Sequence, residues 1–494
     1  MVFYLSKSQY CKGIQCPKQL WLKKNKPEVF DNNTINENVL SNGNIVGDIA
    51  KGLLGEYVEV TYNENKSAMI LQTEKLISSK VDVIAEASFA FEGKFCSVDL
   101  LKNSKKGLDI YEVKSSTAIK DIYKDDLAYQ VYVLKKLGYT INHAYLVYLN
   151  NQYVRKGKLE IKKLFKIVDF SKEAIALAEK IEKTLVDLEK YLQQKNEPLD
   201  DIGIYCFKPY KCGFWKYCSK HLPTLSVFDI SRLNKETMFK YYYNNIISFN
   251  DLIDNNINLN HNQKLQVESY LNNSPAIINK NQVKAFLNKL SYPLYFLDFE
   301  TYQQAIPLFD NVKPYMQIPF QYSLHIMKSD SSALEHKEYL AKLQIDSRRE
   351  LAVRLCKDIP DNVCVLAYNM SFEKGRIKEL AELFPDLKVH LMKIYDNMQD
   401  LMIPFQKKWY YTKKMQGSYS IKYVLPALCP NDPELDYHSL EGIHNGTEAM
   451  NAFVELNKKS SEEAKIIRQN LLAYCKLDTL AMVKILEKLR KAII

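Results

Sequence analysis

FCSVDLLKNSKKGLDIYEVKSS, residues 95–116, sets two apolar-rich runs on either side of a Lys- and Gly-containing turn. The runs Phe95–Leu101 and Leu108–Lys114 each predict a β-strand, joined as a hairpin. Side chains two apart on a strand share a face, so Glu112 and Lys114 point together, and the hairpin brings Asp99 beside them. Two carboxylates and a lysine suit metal-assisted phosphodiester hydrolysis. The carboxylates would hold a hard divalent cation, Mg2+ or Mn2+, and the lysine would position water or offset developing charge. An E-x-K triplet alone also arises on any solvated strand edge, so its neighbourhood carries the weight.

Upstream, Ile84–Ala90 predicts a further strand, whose Glu86 is a candidate to complete the cation cage. Downstream, DDLAYQVYVLKKLG (residues 125–138) predicts a helix with Gln130 near its centre, beside Val131 and Val133. His143–Tyr148 reads as another strand. Leu177, Ile181, Leu185, Leu188 and Leu192 then form one stripe of a long amphipathic helix, closed off by Pro198.

CFKPYKCGFWKYC (residues 206–218) spaces Cys206, Cys212 and Cys218 evenly in a loop rich in Lys, Pro and aromatic residues. Four thiolates suit a tetrahedral metal or a [4Fe–4S] cluster. Cys11 and Cys16 compete for the fourth place, Cys16 standing in CPKQLWL (residues 16–22). Zinc is the rival metal, although the C-x2-C pairs usual in zinc ribbons are missing. A remote fourth ligand would tie the ends of the region together and help it fold. Cys96, Cys356, Cys364, Cys429 and Cys475 lie in apolar surroundings and are expected in the core.

The order CP…G…EASF…D…EVKSS…AYQ…C-x5-C-x5-C resembles the RecB-like PD-(D/E)XK nucleases with an iron–sulfur cluster, a group that includes CRISPR-associated and AddB-type enzymes. The resemblance covers roughly the first 220 residues. It implies Asp99 and Glu112 as metal ligands, Lys114 as the catalytic lysine and Gln130 as a supporting motif residue. It favours Cys16 over Cys11, because the family's upstream cluster ligand precedes a proline. Members often carry a metal-binding His in the early glycine-containing helix. SNGNIVGDIA (residues 41–50) has none, which leaves Asp48 or Glu86 as substitutes.

A second carboxylate pattern begins in YPLYFLDFETY (residues 292–302), where Asp298 and Glu300 lie two apart on an apolar strand. Strands are also expected at Gln321–Ile326 and Val363–Tyr368, and a long helix after Ser461. In YCKLDTLAM, Tyr474 and Asp478 are four apart and share a helix face. LAYNMSFEKGRI puts Asn369 and Glu373 at a strand-to-helix junction, and Asp400 is an alternative middle acid. This order resembles the DEDDy class of RNase H-like 3′–5′ exonucleases, which implies two divalent metals flanking the scissile phosphate and a tyrosine orienting the water. The usual middle Asp is replaced here by Glu373. GSYSIKYVLPAL and the Asn445–Gly446 pair make the second half similar to an uncharacterised bacterial domain of unknown function found behind RecB-like domains.

The length of 494 residues calls for two or more cores. The net charge of +10 suits a polyanionic partner, and the resemblance to nucleases implies nucleic acid, DNA foremost. FKPYKCGFWKYC and KKWYYTKK (residues 407–414) could stack bases and contact phosphates. No apolar run is long enough to span a bilayer, and the start lacks the apolar core of a signal peptide, so a cytoplasmic chain without membrane partners is expected. Ten cysteines in such a compartment speak for thiols or metal ligands rather than disulfides. The expected architecture is α/β. Residues 1–225 would form a restriction-endonuclease-like domain with a four-cysteine cluster, 226–290 a small helical connector and 291–494 an RNase H-like domain. A metal-dependent nuclease with two centres follows. The alternative is a non-catalytic nucleic-acid-binding scaffold with a structural iron–sulfur or zinc site.

Overall fold

A computed structural model describes residues 5–34, 37–342, 345–430 and 432–494. The chain is mixed α/β, and no helix among the described residues is long and apolar enough to cross a membrane. It forms two compact units, one of Met1–Leu222 with Gln304–Met316, the other of Pro223–Gln303 with Gln317–Ile494. Sequence alone groups 304–316 with the second half. The segment packs with the first because Ala305 and Ile306 are apolar and bury in a cluster with Leu53, Val83 and Leu100.

The first unit carries strands β1 (Leu5–Ser6), β2 (Val58–Glu59), β3 (Val83–Phe91), β4 (Lys94–Ser104), β5 (Gly107–Lys114), β6 (Ile141–Leu149) and β7 (Phe165–Asp169). They form one sheet in the order β2-β3-β4-β5-β6-β7, with β1 pairing β4. β3, β4 and β5 run antiparallel, and β5 pairs β6 in parallel. Parallel neighbours need a crossover, and the helix Ile122–Lys136 supplies it, burying Leu127–Leu134 without a break. Gly107, at φ 136°, turns the chain into β5. The amphipathic helix Ser171–Leu192 buries Ala174, Ala178, Ile181, Leu185, Leu188 and Leu192, a spacing of three to four that lays one stripe on the core.

Two ladders of this sheet fix the site. β3 pairs β4 at Ala85↔Leu100 and Ala87↔Val98, which puts Glu86 level with Asp99. β4 pairs β5 as far as Leu100↔Tyr111, which leaves Asp99 and Glu112 next in line. Glu86, Asp99 and Glu112 thus occupy one row across three strands.

The second unit opens with helices Lys235–Tyr243, Phe249–Asp254, His261–Leu271 and Lys280–Leu287. The first three begin at Asn234, Ser248 and Asn260, whose side chains accept backbone N–H bonds. Strands follow as β8 (Ile277–Ile278), β9 (Leu294–Tyr302), β10 (Ile318–Met327), β11 (Glu335–Leu340), β12 (Cys364–Ala367), β13 (Met398–Asp400) and β14 (Tyr410–Tyr411). The main sheet runs β11-β10-β9-β12-β13, while β8 and β14 pair separately. β9, β10 and β11 are antiparallel, whereas β12 and β13 run parallel to β9. β9 is central and covered on both faces, as its nearly unbroken apolar run requires. The closing helix Ser461–Lys491 starts at a capping box between Ser460 and Glu463 and packs on β9 and β10.

Candidate active sites

In the first unit Glu112 is buried at the end of β5. Lys7 Nζ donates to both its carboxylate oxygens, at 2.7 and 2.8 Å, and Lys114 Nζ donates to Oε1 at 2.7 Å. Gln130 Nε2 reaches Oε2 at 2.5 Å from the centre of the crossover helix. Burial opposes ionisation of Glu112, but Lys114 and Lys7 outweigh it and hold the carboxyl down at about 2. Asp99 accepts from Val113 N at 2.6 Å. Burial, then the Glu112 charge, pushes Asp99 up to about 7. Lys114 also pairs with Asp126, whose other oxygen receives the Cys11 thiol at 3.2 Å.

The two residues weighed as substitutes for the missing His separate. Asp48 is exposed and pairs with Lys51 at 2.8 Å. Glu86 is half-buried, and burial raises its carboxyl, with Glu112 adding to the shift. It holds φ at 57° inside a strand, a left-handed conformation that L-residues avoid and that collects at functional sites.

Cys16, Cys206, Cys212 and Cys218 converge. Burial raises all four thiols, Cys16 to about 11 and Cys206 to about 12, and the other three thiols add to the shift at Cys206. Cys11 is engaged by Asp126 instead. The loop is held by Gln15 Nε2, which donates to Tyr205 O and Tyr210 O at 2.7 Å each. Gly213 has no alternative, since a Cβ there would lie 2.3 Å from the Phe30 ring. Among the described residues, the one group of three or more metal-ligating side chains with ligand atoms within 4.8 Å of one another lies elsewhere. No three of these sulfurs are that close, whereas a single zinc with bonds of about 2.3 Å would draw them to about 3.8 Å.

That compact group is Asp298, Glu300 and Asp478 in the second unit. Asp298 and Glu300 share a face of β9, and the closing helix delivers Asp478 opposite them. Burial, followed by the charge of Asp478, raises Asp298 well above the carboxylate range and Glu300 to about 8. Burial also raises Asp478 to about 6, against hydrogen bonds from Tyr437 and Tyr474. The Tyr437 hydroxyl donates to Asp478 Oδ1 at 2.6 Å. The Lys422 charge pulls both Glu300 and Asp478 back down in part.

Glu373, in the first turn of the helix Ser371–Leu383, is buried and lies outside the 4.8 Å group. Its charge nevertheless raises Asp298 and Glu300, its Oε2 has no hydrogen-bond partner among the described residues, and burial raises it to about 8. The alternative middle acid, Asp400, is occupied by the backbone. It accepts from Asn369, Met370 and Met402 N–H groups at 3.0, 3.3 and 2.9 Å. Cys475, expected as a plain core residue, is buried but lies 3.6 Å from Asp298 Oδ2.

KKWYYTKK is only partly a surface strip: Lys408 and Tyr411 are buried, while Lys407 and Lys414 are exposed. Tyr411 is buried and paired in β14, and Lys408 turns inward to donate to Gly417 O at 2.6 Å. The Tyr411 ring joins the core of this unit, and Tyr410 packs against it partly buried.

Lys7, Asp126, Tyr437 and Lys422 escaped the sequence reading. For Lys7 no local signal existed, as it meets Glu112 across 105 positions.

Residues 295–420 match a domain family described as Domain of unknown function (DUF2779). An uncharacterized protein of Ureaplasma parvum serovar 3 is 29% identical over 182 residues, 33% of this chain and 26% of that protein. An uncharacterized protein of Mycoplasma genitalium is 26% identical over 221 residues, 42% of this chain and 33% of that protein. Its homolog in Mycoplasma pneumoniae is 26% identical over 230 residues, 43% of this chain and 34% of that protein. The matched stretch thus spans a quarter to a third of the length of these curated relatives.

Proposed function

We propose that the chain is a Mg2+- or Mn2+-dependent nuclease with two hydrolytic centres, a RecB-like one in the first unit and a DEDDy-like one in the second, acting on DNA in the cytoplasm. The observation that carries the reading is the largely buried triad Asp298, Glu300 and Asp478, held above the usual carboxylate range by burial and, at Asp298 and Glu300, by the charge of Asp478. Three oxygen donors within 4.8 Å, short of positive charge, fit a hard divalent cation. Such a cation would neutralise charge on a phosphodiester and lower the pKa of water.

The chain's own groups divide the remaining work. Asp298 and Glu300 present one carboxylate face, with Asp478 opposite. Tyr474 and Tyr437 hold Asp478 in orientation through their hydroxyls. Glu373, whose Oε2 has no hydrogen-bond partner among the described residues, adds its charge at Asp298 and Glu300. The mixed sheet with a D-x-E pair on its central strand, three antiparallel strands followed by two parallel ones, supports an RNase H-like reading. In the first unit the row Glu86, Asp99, Glu112, with Lys114 and Gln130 on Glu112, supports the restriction-endonuclease-like reading. The four converging thiols, spaced wider than one zinc would hold them, support a [4Fe–4S] cluster bound by Cys16, Cys206, Cys212 and Cys218.

Labelled single- and double-stranded DNA and RNA, offered with Mg2+ and with Mn2+ to anaerobically purified protein, test the reading. Asp298→Ala removes one activity and Glu112→Ala the other, each by about 100-fold or more, since several kcal/mol of charge stabilisation depend on them. Full cleavage by both variants, or none by the parent chain, overturns the reading; the latter leaves a nucleic-acid-binding scaffold.

A further inference from the structure

Beside the first site lies a cavity of about 620 Å³, within the roughly 300–1,000 Å³ usual for ligand sites. Lys114 and Asp126 form the wall it shares with the carboxylate row, and Lys12, Lys120, Tyr123 and Tyr210 stand among its other lining residues. Three ammonium groups face one carboxylate, and that carboxylate is already paired with Lys114. Burial and Lys23 push the Lys12 ammonium below its usual range. The Lys120 ammonium sits 4.4 Å from the centre of the Tyr210 ring, and Lys114 lies 5.2 Å from that of Tyr123. The cavity therefore combines surplus positive charge with aromatic rings, those of Tyr123, Tyr210 and Tyr315. An anion carrying a flat π-system meets both demands, and a nucleotide is that chemistry.

Tyr210 belongs to the cysteine-rich loop, and Gln15 fixes its backbone through the 2.7 Å bond to its carbonyl. Tyr210 remains 48% exposed, enough for a base to reach the ring. We propose that this cavity seats one nucleotide of a single-stranded nucleic-acid end, its base on Tyr210 and its phosphate between Lys12 and Lys120, next to Lys114. The proposal rests on the nuclease reading for its direction but adds the substrate class and the residues that grip it. Tyr210 and Lys120 act here as gripping residues, apart from the carboxylates.

The test is binding of a short fluorescein-labelled oligothymidylate, and of a duplex of equal length, by fluorescence anisotropy in Ca2+, across a salt series. Tyr210→Ala should weaken the single strand about tenfold, in keeping with the stacking of one base, and Tyr210→Phe should restore it. Lys120→Ala should weaken it and lower the slope of log affinity against log salt by about 0.7, one phosphate contact on a single strand. Duplex affinity should change less than twofold in Tyr210→Ala. Far-ultraviolet circular dichroism and melting of each variant report folding, and the Phe variant covers a loop disturbed by Ala. Oligothymidylate binding unaltered in Tyr210→Ala and Lys120→Ala, or equal losses for duplex and single strand, overturns the proposal, as does a parent chain that binds no oligothymidylate. Tyr210-dependent binding without cleavage upholds the nucleotide seat and rejects the nuclease reading. Glu112-dependent cleavage that ignores Tyr210 and Lys120 does the reverse.

Discussion

The two carboxylate centres solve the same electrostatic problem in opposite ways. Glu112 is buried with two ammonium groups and an amide on its oxygens, and its carboxyl is held down at about 2. Asp298, Glu300 and Asp478 are buried together with little positive charge, and all three are raised. A buried charge must be paired or neutralised. The first centre meets that need from its own chain. The second has few cations of its own, and burial there favours the protonated carboxyls. On the proposed reading the second centre would take an ion in place of its protons, whereas at the first Lys7 already occupies both Glu112 oxygens.

Divalent cation should therefore act mainly on the second unit, and this is the largest effect expected. At one hundred times the dissociation constant, Mn2+ contributes about 2.7 kcal/mol, or roughly 5–10 °C in Tm for a unit of this size. Scanning calorimetry should show the rise in the parent chain and in Glu112→Gln, and lose it in Glu300→Gln. The same rise in all three would erase the distinction. Without metal, the pH dependence has a defined sign. Glu300 and Glu373 titrate at about 8 when folded, against 4.5 ordinarily, so the folded chain holds protons that the unfolded chain releases. Their contribution is complete below about pH 4.5 and is lost as pH rises through 8. Glu112 runs the other way, contributing above its ordinary 4.5 and losing that contribution as pH falls towards 2.

Removing one compensating charge sharpens the contrast on a smaller scale. Lys7→Met leaves Glu112 buried with Lys114 and Gln130, and should cost about 1–3 kcal/mol in urea unfolding, below the roughly 3–5 kcal/mol of a fully broken buried pair. No change would mean that Lys7 is not a true partner. The smallest effect belongs to Tyr437→Phe, which deletes one hydrogen bond to Asp478 and should cost about 1 kcal/mol. It should also raise the Asp478 pKa further, since that bond favours the charged form. An unaltered pH–stability profile would count against that bond.

The features readable beforehand share one property, regular local spacing. Period-two alternation placed Glu112 with Lys114 and Asp298 with Glu300, and the i, i+4 relation placed Tyr474 with Asp478. Apolar runs located β3, β5 and β9, because a strand covered on both faces must be apolar along its length, and alternation located β4. What escaped depends on tertiary contact. Lys7 reaches Glu112 from a strand and helix far away in the chain, and Tyr437 reaches Asp478 across 41 positions. Asp400 and Glu373 looked interchangeable until the backbone claimed Asp400. KKWYYTKK was only partly legible, because composition records charge and aromaticity but not that Lys408 and Tyr411 turn inward. Glu86 was legible as a candidate, but its left-handed backbone was not, since no turn residue announces it.

The assignment of residues 304–316 to the first unit has a practical outcome. The polypeptide passes between units after Leu222, after Gln303 and after Met316, so no single scission separates them cleanly. A fragment ending near residue 222 would lack Ala305 and Ile306 and open a greasy notch against Leu53, Val83 and Leu100. It would also strip Arg155 of its backbone exchange with Asn311 and Val312. Excised alone, that fragment should be sticky and poorly folded, and a synthetic peptide spanning the missing stretch should heal it by complementation.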